Sequence, residues 1–109
     1  MLSIKELQRE HWTWLQHNFP AQKEHQPLLG IGEEVGELMH AHLKAEQHIR
    51  GESGVENYLK KGDALGDIFI YMLSYANTNQ IDLEAAIDRA WAQVKKRDWI
   101  KYPKNGVNQ

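Results

Sequence analysis

The sequence predicts an all-α protein, a four-helix bundle in one domain spanning residues 1–109. Three observations predict it. Apolar residues recur at intervals of three and four in four separate segments, and no segment alternates as a strand would. Helix-starting and helix-ending residues fall between those segments at short intervals, as in antiparallel bundles. A chain of 109 residues with 41% apolar content can fill one modest core and not two.

Ser3 followed by Glu6 is a capping-box pattern, which places a first helix from about Ile4 to about Asn18 and ends it before Pro20. Pro27 suits a first helical position, and Leu28, Ile31, Val35, Leu38 and Met39 then recur at helical spacing as far as about His48. Gly51-Glu52-Ser53-Gly54 reads as a turn, followed by a third helix from about Val55 to Asn77. Asp82 caps a fourth, whose inner face is expected to hold Leu83, Ala86, Ile87, Ala90, Trp91 and Val94. Pro103 closes the regular structure, and 103–109 reads as a polar tail.

Composition narrows the class. Charged residues make up 26% and the formal net charge is −2, an ordinary globular balance. Lys and Arg are scattered apart from Lys95-Lys96-Arg97, so no stable nucleic-acid binding is expected. With no cysteine, neither disulfides nor thiolate-bound zinc enters, and a reducing cytoplasm is compatible. The N-terminus has no apolar run of signal-peptide length, and the most apolar stretch, 68–76, is too short to span a bilayer. The expectation is a cytoplasmic protein without membrane attachment.

From Leu65 to Ala76 apolar or aromatic side chains point in every direction around the third helix. A helix of that kind is buried on all sides. In so small a bundle its remaining face calls for a second subunit, so a homo-oligomer, dimer or tetramer, is expected.

Two acidic clusters stand out. Glu33 and Glu34 each lie three or four residues from Glu37, and Asp63 lies four from Asp67. Like charges so placed repel by a few tenths of a kcal/mol when exposed, and by more when water is excluded. The acids of the second helix fall roughly opposite Ile31, Val35 and Leu38, where a solvated acidic face has the same pattern. Asp67 differs, because its helix shows no solvent face and a buried carboxylate needs a partner. Gly32 and Gly36 flank the first cluster, and Gly62 and Gly66 the second, a spacing that suggests close backbone approach. Side by side, the two helices bring up to five carboxylates together. Oxygen donors of this kind suit Mg²⁺ or Mn²⁺ better than zinc or copper, and point to metal-dependent phosphate chemistry.

The segments Glu33-Glu34-x-x-Glu37 and Leu65-Gly66-Asp67-Ile68-Phe69-Ile70-Tyr71-Met72-Leu73 resemble the MazG-like all-α nucleoside triphosphate pyrophosphohydrolases, over roughly Leu28 to Trp99. That family's pattern is Glu-Glu-x-x-Glu followed by Glu-x-x-Asp. Here the glutamate of the second half is Ala64, and Asp63 stands one residue earlier, four before Asp67. The resemblance implies Glu34, Glu37, Asp67 and Asp63 as Mg²⁺ ligands and Glu33 as general base or water-positioning residue. It implies cleavage of nucleoside or deoxynucleoside triphosphates to monophosphate and pyrophosphate, as nucleotide-pool housekeeping. It also makes Lys96 and Arg97 candidates for phosphate binding, where the helix dipole alone favours cations too. Trp12, Trp14 and His17 become candidates for contacting the base, although tryptophans also serve small cores.

Two other readings stay open. Ala64 fits a catalytically degenerate relative that serves as an oligomeric nucleotide-binding or protein-interaction module. Glu37-x-x-His40 is an element of carboxylate-bridged di-metal proteins, but those require it twice and only one copy exists.

Overall fold

The computed structural model describes residues 1–49, 51 and 53–108. The expected turn residue Glu52 and the end of the expected tail, Gln109, lie outside them. The architecture is all-α, in four helices: α1 (Ile4–Asn18), α2 (His25–Gln47), α3 (Gly54–Thr78) and α4 (Leu83–Val94). Among the described residues there is no strand, and no helix is long and apolar enough to cross a membrane.

Each start has a local cause. The Ser3 hydroxyl accepts from the Glu6 amide at 3.1 Å, the N-cap half of the expected capping box, and donates to the Glu6 carboxylate at 3.0 Å, a hydroxyl–carboxylate bond in place of the box's bond to the Ser3 amide. Ser53 accepts from the Glu56 amide at 3.1 Å, and Asp82 from the Ala85 amide at 3.0 Å. That amide, reinforced by Lys5 at 3.7 Å, holds the Asp82 carboxyl below its ordinary range. α2 begins two residues before Pro27, with no side-chain cap. Pro27 tolerates this because the first amides of a helix have no carbonyl to bond. At the other end His48 takes a left-handed conformation, φ 53°, and stops the helix.

α2 and α3 form the long element of the molecule, an antiparallel hairpin whose seam carries Pro27, Glu34 and Ala64. The Tyr71 side chain packs against Gly30, its ring occupying the space a Cβ there would need. α1 packs on the C-terminal half of α3 and α4 on α1, around Leu15, Leu73 and Ala76. A polar chain ties these three together. The Asn77 side-chain amide donates to Gln8 O at 3.1 Å and to His11 Nδ1 at 3.2 Å. Gln8 in turn donates to Ile81 O at 2.7 Å and accepts from the Leu83 amide at 3.1 Å.

Three expectations are corrected here. α3 is not buried all round: α2 covers one side and α1 only the C-terminal half, so Val55, Tyr58, Leu59, Leu65 and Ile70 are exposed. Of the expected inner face of α4, Leu83, Ala86 and Ile87 are half-buried, while Ala90, Trp91 and Val94 are exposed. The C-terminal segment is a closed loop and not a loose tail. Asp98 N donates to Gly106 O, Tyr102 N to Asp98 O and Gly106 N to Tyr102 O, each at 2.8 Å. Gly106 is buried at φ 76°, a conformation glycine alone adopts easily. The radius of gyration is 17.7 Å, where a compact chain of this length has about 13 Å.

Candidate functional site

The seam of the hairpin decides the fate of each carboxylate. Glu34 sits three residues from Ile31 and four from Leu38, which places it in the α3-facing row. It is accordingly buried, 9% exposed, and its Oε2 has no hydrogen-bond partner. Glu33 and Glu37 lie beside that row and are exposed. One carboxylate oxygen from each of the three lies within 4.8 Å of the others, the one such group of three among the described residues. Burial, then the charge and hydrogen bond of Glu37, then Asp67 and Glu33 push the Glu34 carboxyl above its ordinary range.

Asp67 was expected to be the buried acid and is exposed, as is Asp63. The reason is the one-sided cover of α3. Both aspartates nevertheless line a groove of about 520 Å³ with Glu33, Glu37, His40, Ala64, Lys44 and Lys60. Ala64, 7% exposed, occupies the floor between the helices, and Asp63 stands a third of a turn away at the rim. The one-residue displacement in sequence is therefore a displacement from floor to rim.

A second cavity, about 750 Å³, shares Asp67 with the first and has Glu34 in its wall. Its remaining walls come from α1 (Trp14), the 19–24 connection (Phe19, Gln22), the start of α2 (Gln26) and α3 (Tyr71, Ser74). Trp14 meets Phe19 edge to face, centroids 5.8 Å apart, and leans on His11 at 5.6 Å. Gln22 Oε1 is buried without a partner. Buried polar atoms are normally satisfied, so two orphaned oxygens, on Glu34 and Gln22, in the walls of one cavity single it out as a candidate ligand site.

Of the residues expected from sequence, the structure brings Glu33, Glu37, Asp63 and Asp67 into the groove, and Glu34 and Trp14 to the adjoining cavity. Trp12 lines a separate groove with Lys5, Arg9 and Asp82, and His17 is exposed beyond the cavity walls. Lys96 and Arg97 follow α4 and are exposed, away from the groove walls. Two lysines, Lys44 and Lys60, and two aromatics, Phe19 and Tyr71, were missed. Lys44 lies seven residues after Glu37 and Lys60 seven before Asp67, two full turns each, a same-face spacing that was legible. Tyr71 lies four after Asp67 and was legible on the same ground. Gln22 lies in a connection and carries no periodic signal. The expected close approach at Gly32, Gly36, Gly62 and Gly66 is absent: no atom lies within 4 Å of a Cβ built there. His40 lines the groove, whereas His42 pairs with Glu46 at 3.0 Å.

Comparison of the chain with protein-family models, with curated proteins and with solved structures found no match.

Proposed function

We propose that this chain is a Mg²⁺-dependent pyrophosphohydrolase of nucleoside and deoxynucleoside triphosphates, of the MazG-like kind its motifs resemble. In this reading it is a cytoplasmic, self-associating enzyme of nucleotide-pool housekeeping. The observation that carries the proposal is the buried, unpartnered oxygen of Glu34, whose carboxylate lies in the wall of the aromatic cavity and within 4.8 Å of those of Glu33 and Glu37 in the groove. A carboxylate held there without a cation is unfavourable, and its neighbours are carboxylates too.

The donor set fits a hard divalent ion, being all oxygen. Glu34, Glu37, Asp67 and Asp63 would hold Mg²⁺, with Mn²⁺ as a substitute. When bound, the ion neutralises phosphate charge and polarises the phosphorus–oxygen bonds. Glu33, exposed beside them, accepts the proton of a water whose oxygen bonds to the α-phosphorus as the α–β bridging oxygen leaves with pyrophosphate. Lys44 and Lys60 supply positive charge to the phosphates from within the groove. Trp14, Phe19 and Tyr71 offer ring faces to a base, and Gln22 Oε1 an acceptor for one of its N–H groups.

Pyrophosphate release from a panel of NTPs and dNTPs, with Mg²⁺ or with EDTA, tests the reading. Metal-dependent release from at least one nucleotide supports it, and none across the panel sinks it. Ala64 on the groove floor favours one alternative, a nucleotide-binding module that has lost turnover. Calorimetric binding of a non-hydrolysable nucleotide without turnover of the natural one would select that alternative.

A further inference from the structure

Ser74 is a buried polar group that the proposed chemistry leaves unused. It lines the aromatic cavity with Trp14, Tyr71 and Gln22, and only 4% of it is exposed. Its Oγ lies 3.0 Å from His11 Nε2, so what the hydroxyl can do depends on which ring nitrogen carries the proton.

The bonds behind His11 answer that. Gln8 O can only accept, so the Asn77 atom 3.1 Å from it is the amide nitrogen, and the same nitrogen lies 3.2 Å from His11 Nδ1. Nδ1 therefore accepts, and the proton of the neutral ring sits on Nε2 and is donated to Ser74 Oγ. Serine, histidine and asparagine in this order resemble a nucleophilic triad, but the protons run the other way. In a triad the third residue accepts from Nδ1 and Nε2 takes the serine proton. Here Nε2 is already protonated and activates nothing, so the Ser74 hydroxyl keeps its own proton. A helical serine can give that proton to the carbonyl four residues back. No such bond to Ile70 O forms, and among the described residues no other acceptor takes it.

From this arrangement we infer that Ser74 is a specificity-determining residue: its hydroxyl donates to a ring acceptor of the ligand in the cavity, and His11 and Asn77 are positioning residues that hold it as a donor. Gln22 Oε1, buried without a partner in the same walls, takes an N–H of the same ring. The ligand is thus a flat heteroaromatic ring bearing both a lone pair and an N–H. An apolar ring of equal shape is rejected, because it leaves both protein groups unsatisfied. The inference rests on the base-binding part of the proposed function and not on metal or turnover, so nucleoside binding and pyrophosphate release can fail separately.

Calorimetric titration of the metal-free full chain with the common deoxynucleosides, and with the apolar isostere of whichever binds, tests it. The expected result is that at least one nucleoside binds, and its isostere binds several-fold more weakly. Ser74→Ala is expected to weaken the nucleoside by about tenfold, the worth of one hydrogen bond, and to leave the isostere unchanged. His11→Gln, whose amide can donate to Ser74 and accept from Asn77, is expected to keep the wild-type preference, and His11→Leu, which can do neither, to lose it. Equal losses for nucleoside and isostere in Ser74→Ala overturn the inference, because a merely structural role moves both alike. So does a wild type that binds no nucleoside, even one that releases pyrophosphate from triphosphates. If the variants unfold by circular dichroism, the nitrogen NMR shifts of His11 in the wild type decide. Nε2 is expected to be the protonated atom and to shift on nucleoside addition, and a proton on Nδ1 or an unmoved ring overturns the inference.

Discussion

His11 Nε2 lies 3.0 Å from Ser74 Oγ in the interior between α1 and α3, while His11 Nδ1 receives the Asn77 amide at 3.2 Å. Because Nδ1 accepts, the ring proton is on Nε2, which donates to Ser74. Both nitrogens are thus committed to a neutral imidazole, and burial lowers its pKa from the ordinary 6.5.

A pH dependence follows from His11. Its folded pKa is depressed, so below 6.5 the unfolded chain binds the proton more readily than the folded one. Its contribution to stability is complete above that pH and declines as the pH falls through it. Thermal unfolding followed from pH 8 to pH 5 is expected to show the melting temperature dropping in the lower half of the range. His11→Gln is expected to flatten that drop, and an unchanged profile would place the titrating group elsewhere.

For Glu34 the sign is reversed. Its folded pKa is raised, so the ionised group opposes folding at neutral pH and the penalty fades as the pH falls through the raised value. Glu34→Gln is therefore expected to raise the melting temperature of the metal-free protein at pH 7.5 while abolishing any further rise on adding Mg²⁺. Differential scanning fluorimetry with Mg²⁺ or EDTA reads both effects. A Mg²⁺ shift as large in the variant as in the wild type contradicts the ligand role.

Catalysis separates the remaining acids. Glu37→Gln and Asp67→Asn are expected to abolish pyrophosphate release while the helical circular dichroism persists. Glu33→Gln is expected to lower kcat by about 10²- to 10⁴-fold, the usual worth of a general base, with Mg²⁺ affinity retained. Full activity in the Asp67 variant would show that the groove carboxylates of α3 are dispensable.

Ala64→Glu puts an acid on the groove floor. Without metal it adds a buried like charge next to Glu37, so the melting temperature is expected to fall. With Mg²⁺ the variant is expected to recover more stability than the wild type gains, through tighter binding. Isothermal titration with Mg²⁺ checks it. An affinity equal to that of the wild type would mean that Asp63 already does all a floor glutamate can do.

Gly30→Ala tests the packing of Tyr71 on Gly30. Its new methyl meets the Tyr71 ring, and overpacking of this kind costs about 1–3 kcal/mol. Urea unfolding is expected to show a loss of that order, partly relieved in the double variant with Tyr71→Ala. A loss equal in both backgrounds would place the strain outside this pair.

The helices were legible because capping and periodicity are local. Ser3, Ser53 and Asp82 each satisfy amides within three residues. Which carboxylate is buried was not legible, since Glu34 and Asp67 exchanged their expected environments once α1 covered only part of α3. That depends on where one helix ends against another, which no periodicity encodes. Lys44 and Lys60 were within reach of helical counting, whereas Gln22 enters through the path of a connection.

The seven-residue offsets of Lys44 from Glu37 and of Lys60 from Asp67 have an electrical consequence. Seven residues of helix span about 10 Å, and because the helices run antiparallel, both ammonium groups fall at one end of the groove and the acids toward the other. The hairpin therefore carries a moment along its long axis built from side chains, separate from its backbone dipoles. Such a field exerts torque at a distance. In the proposed reading, an elongated anion would approach the groove with its charged tail turned toward the connection between α2 and α3.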